Sequence, residues 1–274
     1  MRALRLASVV VTAAVLVGGL TACGGDGNTD TKSAEGPAAG KSSGLDPKAA
    51  LAASAVVMQK AANGNVELAL PDNSMAGTAQ WSKRTDVDVA GKGKASTKTR
   101  VVGDDIFLGG GADVTAALGG KHWAKVTPQD PGVGPMAGMF LTVTQLSNPV
   151  LQLTVAAQVG KPTKVGAEAV GGVDTTHYRA VEDVAKLTEA MSALGNDQRT
   201  AVQQTLAAGG NTMTVDFWIN GAQELVQLKG YGNKNGEQQA VTVKYSGLGA
   251  APKIEAPAFA DVGKSSDFSK LFGG

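Results

Sequence analysis

The sequence predicts an α+β domain, an antiparallel sheet with one apolar face and helices that are each apolar along one stripe. Two observations point there. Short runs rich in Val, Thr and Ile alternate with polar residues and are punctuated by Gly, Pro and Asn, as in half-buried strands joined by turns. Two separate segments switch to a helical period. A third observation sets the size: with 43% hydrophobic residues in 274, and no later apolar run of membrane-spanning length, the chain can build one sizeable domain or two small ones.

The elements follow in chain order. Asp46 is a good N-cap, Pro47 suits the first helical position, and residues 48–62 contain neither Gly nor Pro. Leu51, Ala55, Met58 and Ala62 share one face, and Asn63-Gly64 is the expected stop. From Asn65 to Val126 the pattern is of strands, with turns at Pro71-Asp72-Asn73, Gly91-Lys92-Gly93, Gly103-Asp104 and Gly109-Gly110-Gly111. Between Pro131 and Gly160 two helices are expected, one with Met136, Met139, Phe140 and Val143 on its stripe. The other, with Val150, Leu153 and Ala157, starts at the cap pair Asn148-Pro149. A hairpin is expected around Gly171-Gly172, joining strands 164–170 and 174–181. Two helices follow, carrying Val184, Leu187, Met191 and Leu194, then Val202 and Leu206. A meander ends the domain: Met213, Val215, Phe217 and Ile219 alternate with Thr214, Asp216 and Trp218, Asn220-Gly221 turns into 225–229, and Val241, Val243 and Tyr245 form the last run.

The N-terminus has a separate role. Arg2 and Arg5 precede an apolar run from Leu6 to Leu20 and then small residues, the pattern of a secretory signal. The chain's one cysteine stands in Leu20-Thr21-Ala22-Cys23, followed by Gly24, which resembles the bacterial lipobox. That resemblance implies a diacylglyceryl group on Cys23, which becomes the new N-terminus. Two acyl chains hold a protein at a membrane where one does so only marginally. With its cysteine committed to lipid, the mature domain has no internal disulfide. Residues 1–22 are thus read as signal peptide and 23–45 as lipidated end and flexible tether, reaching about 25 Å on average. Residues 46–262 are read as the domain and 263–274 as a tail, on the extracytoplasmic face of the membrane.

Gly171-Gly172-Val173-Asp174-Thr175-Thr176-His177-Tyr178, then Val215 to Asn220 with Leu225-Val226, then Val241 to Gly247 with Ile254-Glu255-Ala256-Pro257 resemble the LppX/LprAFG lipoprotein family of actinobacteria, and more distantly the LolA-type carriers. The resemblance implies a strongly curved antiparallel sheet, a half-barrel, with helices across its concave face and acyl chains between the layers. It implies a role in binding or carrying lipid or glycolipid in the cell envelope, with a transporter or other envelope protein as possible partner. Any cavity would be lined by Met139, Phe140, Val150, Leu153, Leu187, Met191 and Phe217. The same apolar pattern also fits a filled core.

Other chemistries lack support. The net charge of +1, scattered along the chain, makes no footprint for nucleic acid. His122 and His177 are the only histidines, no Gly-x-Ser-x-Gly elbow occurs, and Ser246 has the wrong surroundings, so the chain is read as no enzyme. Asp86/Asp88 and Asp104-Asp105 lack a calcium-loop pattern, no spacing suggests zinc, and the glycines before Lys121 form no phosphate loop, so no metal or cofactor is expected. Two readings stay open: a membrane-anchored lipid carrier, or an envelope accessory protein of the same fold with a filled core and a protein partner.

Overall fold

The structure, a computed structural model, describes residues 44–82, 84–92 and 97–270. Cys23, the signal segment and most of the tether lie outside the described residues.

Helix α1 (Pro47–Ala61) begins as expected, because Asp46 accepts hydrogen bonds from the amides of Lys48 and Ala49 at 3.0 and 3.1 Å. Its end falls one residue earlier than the Asn63-Gly64 stop. Ala62 takes the left-handed conformation (φ 63°), and Asn63 already belongs to β1 (Asn63–Leu70). Trp81 makes this abrupt change possible. Its backbone amide donates to Ala62 O at 2.9 Å, and its indole Nε1 to Met58 O at 2.6 Å, a carbonyl that also accepts from Ala62 N at 3.0 Å.

The first half of the sheet continues with β2 (Asn73–Gln80), β3 (Asp86–Gly91), β4 (Lys98–Val102) and β5 (Asp105–Gly109). A short helix α2 (Ala112–Ala117), not anticipated from the sequence, then precedes β6 (Trp123–Val126). Helices α3 (Gly134–Leu146) and α4 (Pro149–Gln158) lead to β7 (Thr163–Val170) and β8 (Val173–Asp183). Helices α5 (Val184–Ala190) and α6 (Asn196–Ala208) precede the meander β9 (Thr212–Asn220), β10 (Leu225–Gly232) and β11 (Val241–Ser246). Beyond the expected domain limit at 262, Val262–Gly263 forms β12 and Ser265–Ser269 forms α7, whose Phe268 is buried in the core. The ordered domain therefore includes most of what was read as a tail.

Among the described residues all twelve strands join one curved, unclosed sheet in the order β12-β6-β5-β4-β3-β2-β1-β11-β10-β9-β8-β7. Every pairing is antiparallel except β12 with β6. The two halves meet where β1 pairs with β11, Val66 opposite Tyr245 and Leu68 opposite Val243. The expected fold class, a curved antiparallel sheet with helices across one face, is the one observed. Leu68, Val87, Val101, Val215, Phe217 and Val243 from the sheet pack with Leu51, Met58, Leu141, Leu153 and Leu187 from the helices in one core.

The opposite face is less open to solvent than the alternation implied. Asp216 and Trp218 point there yet are 1% and 6% exposed. His177 stacks on Trp218 with centroids 4.4 Å apart, and Asp216 accepts from both Nε and a terminal nitrogen of Arg179. At the other end of that face, residues 252–258 cross over Arg100 and Trp123, and Arg100 donates to Glu255 O.

Candidate functional site

The space between helices and sheet is organised around the corner joining α3 to α4. Asn148 caps α4 by accepting from Leu151 N at 2.9 Å and donates through Nδ2 to Thr85 Oγ1 at the same distance. Tyr245, on β11, donates its hydroxyl to Ser147 O at 2.9 Å. Burial pushes the Tyr245 phenol well above its ordinary range, so it stays a donor. These bonds pin the corner to the middle of the sheet, and the two helices extend away from it.

One small cavity lies on each side of this corner. The first, about 10 Å³, is bounded by Leu68, Met75, Val87, Thr99, Phe140 and Val143; the second, also about 10 Å³, by Leu146, Gln152, Met213, Val215, Leu228 and Val241. Either could hold about one water molecule. An acyl chain would need the helices to move off the sheet.

Of the residues expected to line a cavity, Phe140 does so. Leu153, Leu187 and Phe217 are fully buried, Met191 nearly so, and Val150 is half-buried against the core. Met139 is misplaced by the sequence reading: it is 39% exposed and faces away from the interior. The reason is that α6 packs on α3 from the other side, so α3 buries Ala137, Gly138 and every residue from Phe140 to Leu146. A helix covered on two sides has no single apolar stripe: Phe140 and Val143 of the expected stripe are buried and Met136 packs on the core, while Met139 falls on the remaining exposed strip.

Sequence reasoning missed the polar groups of the interior. Glu182, at the end of β8, is 1% exposed and neither of its carboxylate oxygens has a hydrogen-bond partner among the described residues. Burial alone pushes its carboxyl up to about 8. Gln152 Nε2 and Thr99 Oγ1, one at each cavity, are also buried without a partner. Each such group costs about 1 to 3 kcal/mol. A signal for Glu182 was present: it continues the inward series Tyr178, Ala180, Glu182 by period two.

Both histidines pair with carboxylates. His177 Nε2 lies 2.7 Å from Asp216 and its Nδ1 3.3 Å from Glu168, which also accepts from Trp218 Nε1 at 2.8 Å. His122 is exposed and pairs with Asp261 at 2.8 Å, holding that carboxyl below its usual range through the hydrogen bond. A polar cleft of about 390 Å³ lies under residues 252–258, where Arg100 bridges Asp88 and Glu255 O and covers the Trp123 ring at 4.8 Å. Lys253 pairs with Glu255 at 2.9 Å, Asp261 with His122 outside the cleft, and Arg100 Nε is buried without a partner among the described residues. No helix among the described residues is long and apolar enough to cross a membrane.

No protein-family model matches the chain. It is 32% identical over 182 residues to an uncharacterized 31.2 kDa protein of the rplA-rplJ intergenic region of Streptomyces griseus, covering 65% of this chain and 59% of that one. The match thus spans less than two thirds of the relative's length. Among solved structures the chain is similar to LprF from Mycobacterium bovis (16% identity, TM-score 0.45, 78% of this chain and 100% of that one). It is also similar to lipoprotein LppX from Mycobacterium tuberculosis (13% identity, TM-score 0.45, 76% of this chain and 98% of that one). A LolA-superfamily protein from Nitrosomonas europaea aligns more loosely (12% identity, TM-score 0.28, 81% of this chain and 99% of that one).

Proposed function

We propose that the protein is a cell-envelope lipoprotein, anchored through diacylglyceryl-modified Cys23, whose domain binds acyl chains between the helices and the sheet. The observation that carries this reading is the broad, mainly apolar layer between helices and sheet, which leaves a water-sized void on each side of the α3–α4 corner. Shielding a sixteen-carbon chain from water is worth on the order of 12 kcal/mol. Uptake would exchange the burial of helix side chains such as Leu141 and Leu153 against the sheet for burial of the acyl chain, with the α3–α4 corner held by its hydrogen bonds. The chain would enter by widening both cavities around a pinned centre.

The second reading, a filled core with a protein partner, is favoured by the complete burial of Leu153, Leu187 and Phe217. Val150→Trp separates the two. The chain carrying Cys23→Ala, so that only non-covalent lipid is scored, is exposed to envelope phospholipid and diacylglycerol and weighed by native mass spectrometry. A carrier should show added lipid mass that falls in Val150→Trp with little change in thermal midpoint. A filled core should show no added mass, and Val150→Trp should lose about 1 to 3 kcal/mol through overpacking. That second result would reject the carrier reading.

A further inference from the structure

We propose that Glu182 and Gln152 form the polar contact of the interior site and take an ester carbonyl of an acylglycerol. The proposal rests on the lipid-binding reading above and names the part of the ligand that the site recognises.

Gln152 lines the second cavity together with Met213, and Met213 stands directly opposite Glu182 in the β8–β9 ladder. Paired residues on one sheet face have Cβ atoms about 5 Å apart, so the Glu182 side chain leaves the sheet beside the cavity wall. α4, which carries Gln152, packs against β8, which carries Glu182. Both side chains are 1% exposed, and the two Glu182 oxygens and Gln152 Nε2 lack partners among the described residues. With its carboxyl pushed up to about 8, Glu182 keeps its proton at neutral pH and offers a hydroxyl donor beside an acceptor carbonyl oxygen, which could take the free hydroxyl of a diacylglycerol. Gln152 Nε2 is a second donor.

Two donors beside an apolar wall call for an acceptor with two lone pairs attached to hydrocarbon. An ester carbonyl is that group. A cation would require the ionised carboxylate in an environment that disfavours it, and a phosphate would bring a charge with no cationic side chain among the residues lining the cavity. The surrounding Leu146, Val215, Leu228 and Val241 suit the methylenes next to the ester.

The test uses two ligands of equal chain length, 1,2-dipalmitoylglycerol and its 1,2-dihexadecyl ether, which keeps the free hydroxyl and lacks the carbonyls. Each is titrated into the chain carrying Cys23→Ala and followed by native mass spectrometry. The chain should prefer the ester about tenfold, the worth of one or two hydrogen bonds in an apolar site. Glu182→Leu and Gln152→Leu should each bind the ether as before and lose most of the preference, and Glu182→Gln, which keeps a donor, should retain it. Equal binding of the two lipids by the chain with Glu182 and Gln152 intact overturns the proposal without any variant. A preference unchanged in both Leu variants overturns it while leaving lipid binding standing. Binding of neither lipid removes the underlying reading and this proposal with it.

Discussion

Glu182 is an acid held where its charged form is unwelcome, and that has a measurable sign. Its carboxyl is raised from the ordinary 4.5 to about 8 by burial, so across that window the folded chain binds a proton that the unfolded chain has released. Stability therefore falls as pH rises from 4.5 toward 8, and the whole cost is felt above it. Glu182→Gln should remove this slope. Urea unfolding from about pH 5 to about pH 9 should show the variant gaining on the wild type by a few kcal/mol, and parallel curves would mean the carboxylate is solvated after all. The residue was hard to read from sequence because Glu182-Asp183 looks like the polar end of a strand. Only the inward phase set by Tyr178 and Ala180 betrays it. His177 lies in a strand, as the expected run 174–181 implies, but its partner Asp216 looked like solvent-facing alternation.

Among the elements, those with a chemical start signal were legible. Asp46-Pro47 and Asn148-Pro149 each open a helix whose first turn is capped by the acidic or amide side chain in question. The alternating meander β9–β11 also appears where expected. What escaped was structure without periodicity: α2 is six residues with none buried, and the segment over Arg100 and Trp123 is extended chain held by single hydrogen bonds. Close strand packing was equally invisible. A Cβ on Gly77 would stand 2.0 Å from Asp88 O, across the β2–β3 ladder. Gly77→Val should thus force those strands apart and cost about 2 to 4 kcal/mol, read as a drop in urea midpoint. By contrast, Gly171→Ser, at a turn with open space around it, should cost only the strain of φ 59°.

For the molecule as a whole, the kind of architecture was readable but not the order of its strands, because periodicity identifies faces and says nothing of neighbours. The proposed anchor belongs to this scale too. Replacing Cys23 by Ala should move the protein from the membrane pellet to the soluble or medium fraction, or leave it with its signal attached; a processed variant that stays wholly with the membrane would end the anchor reading. The seam between β1 and β11 carries one more consequence. Residues 65–69 find their partners only at 242–246. A chain threaded outward from its N-terminus would therefore wait, its first hairpin edge bare, until nearly the last of its length had crossed. Long-range pairing of this kind is slow, and bare strand edges are sticky. The step that joins the two halves of the sheet is thus also the step at which an escort on the far side of the membrane would matter most.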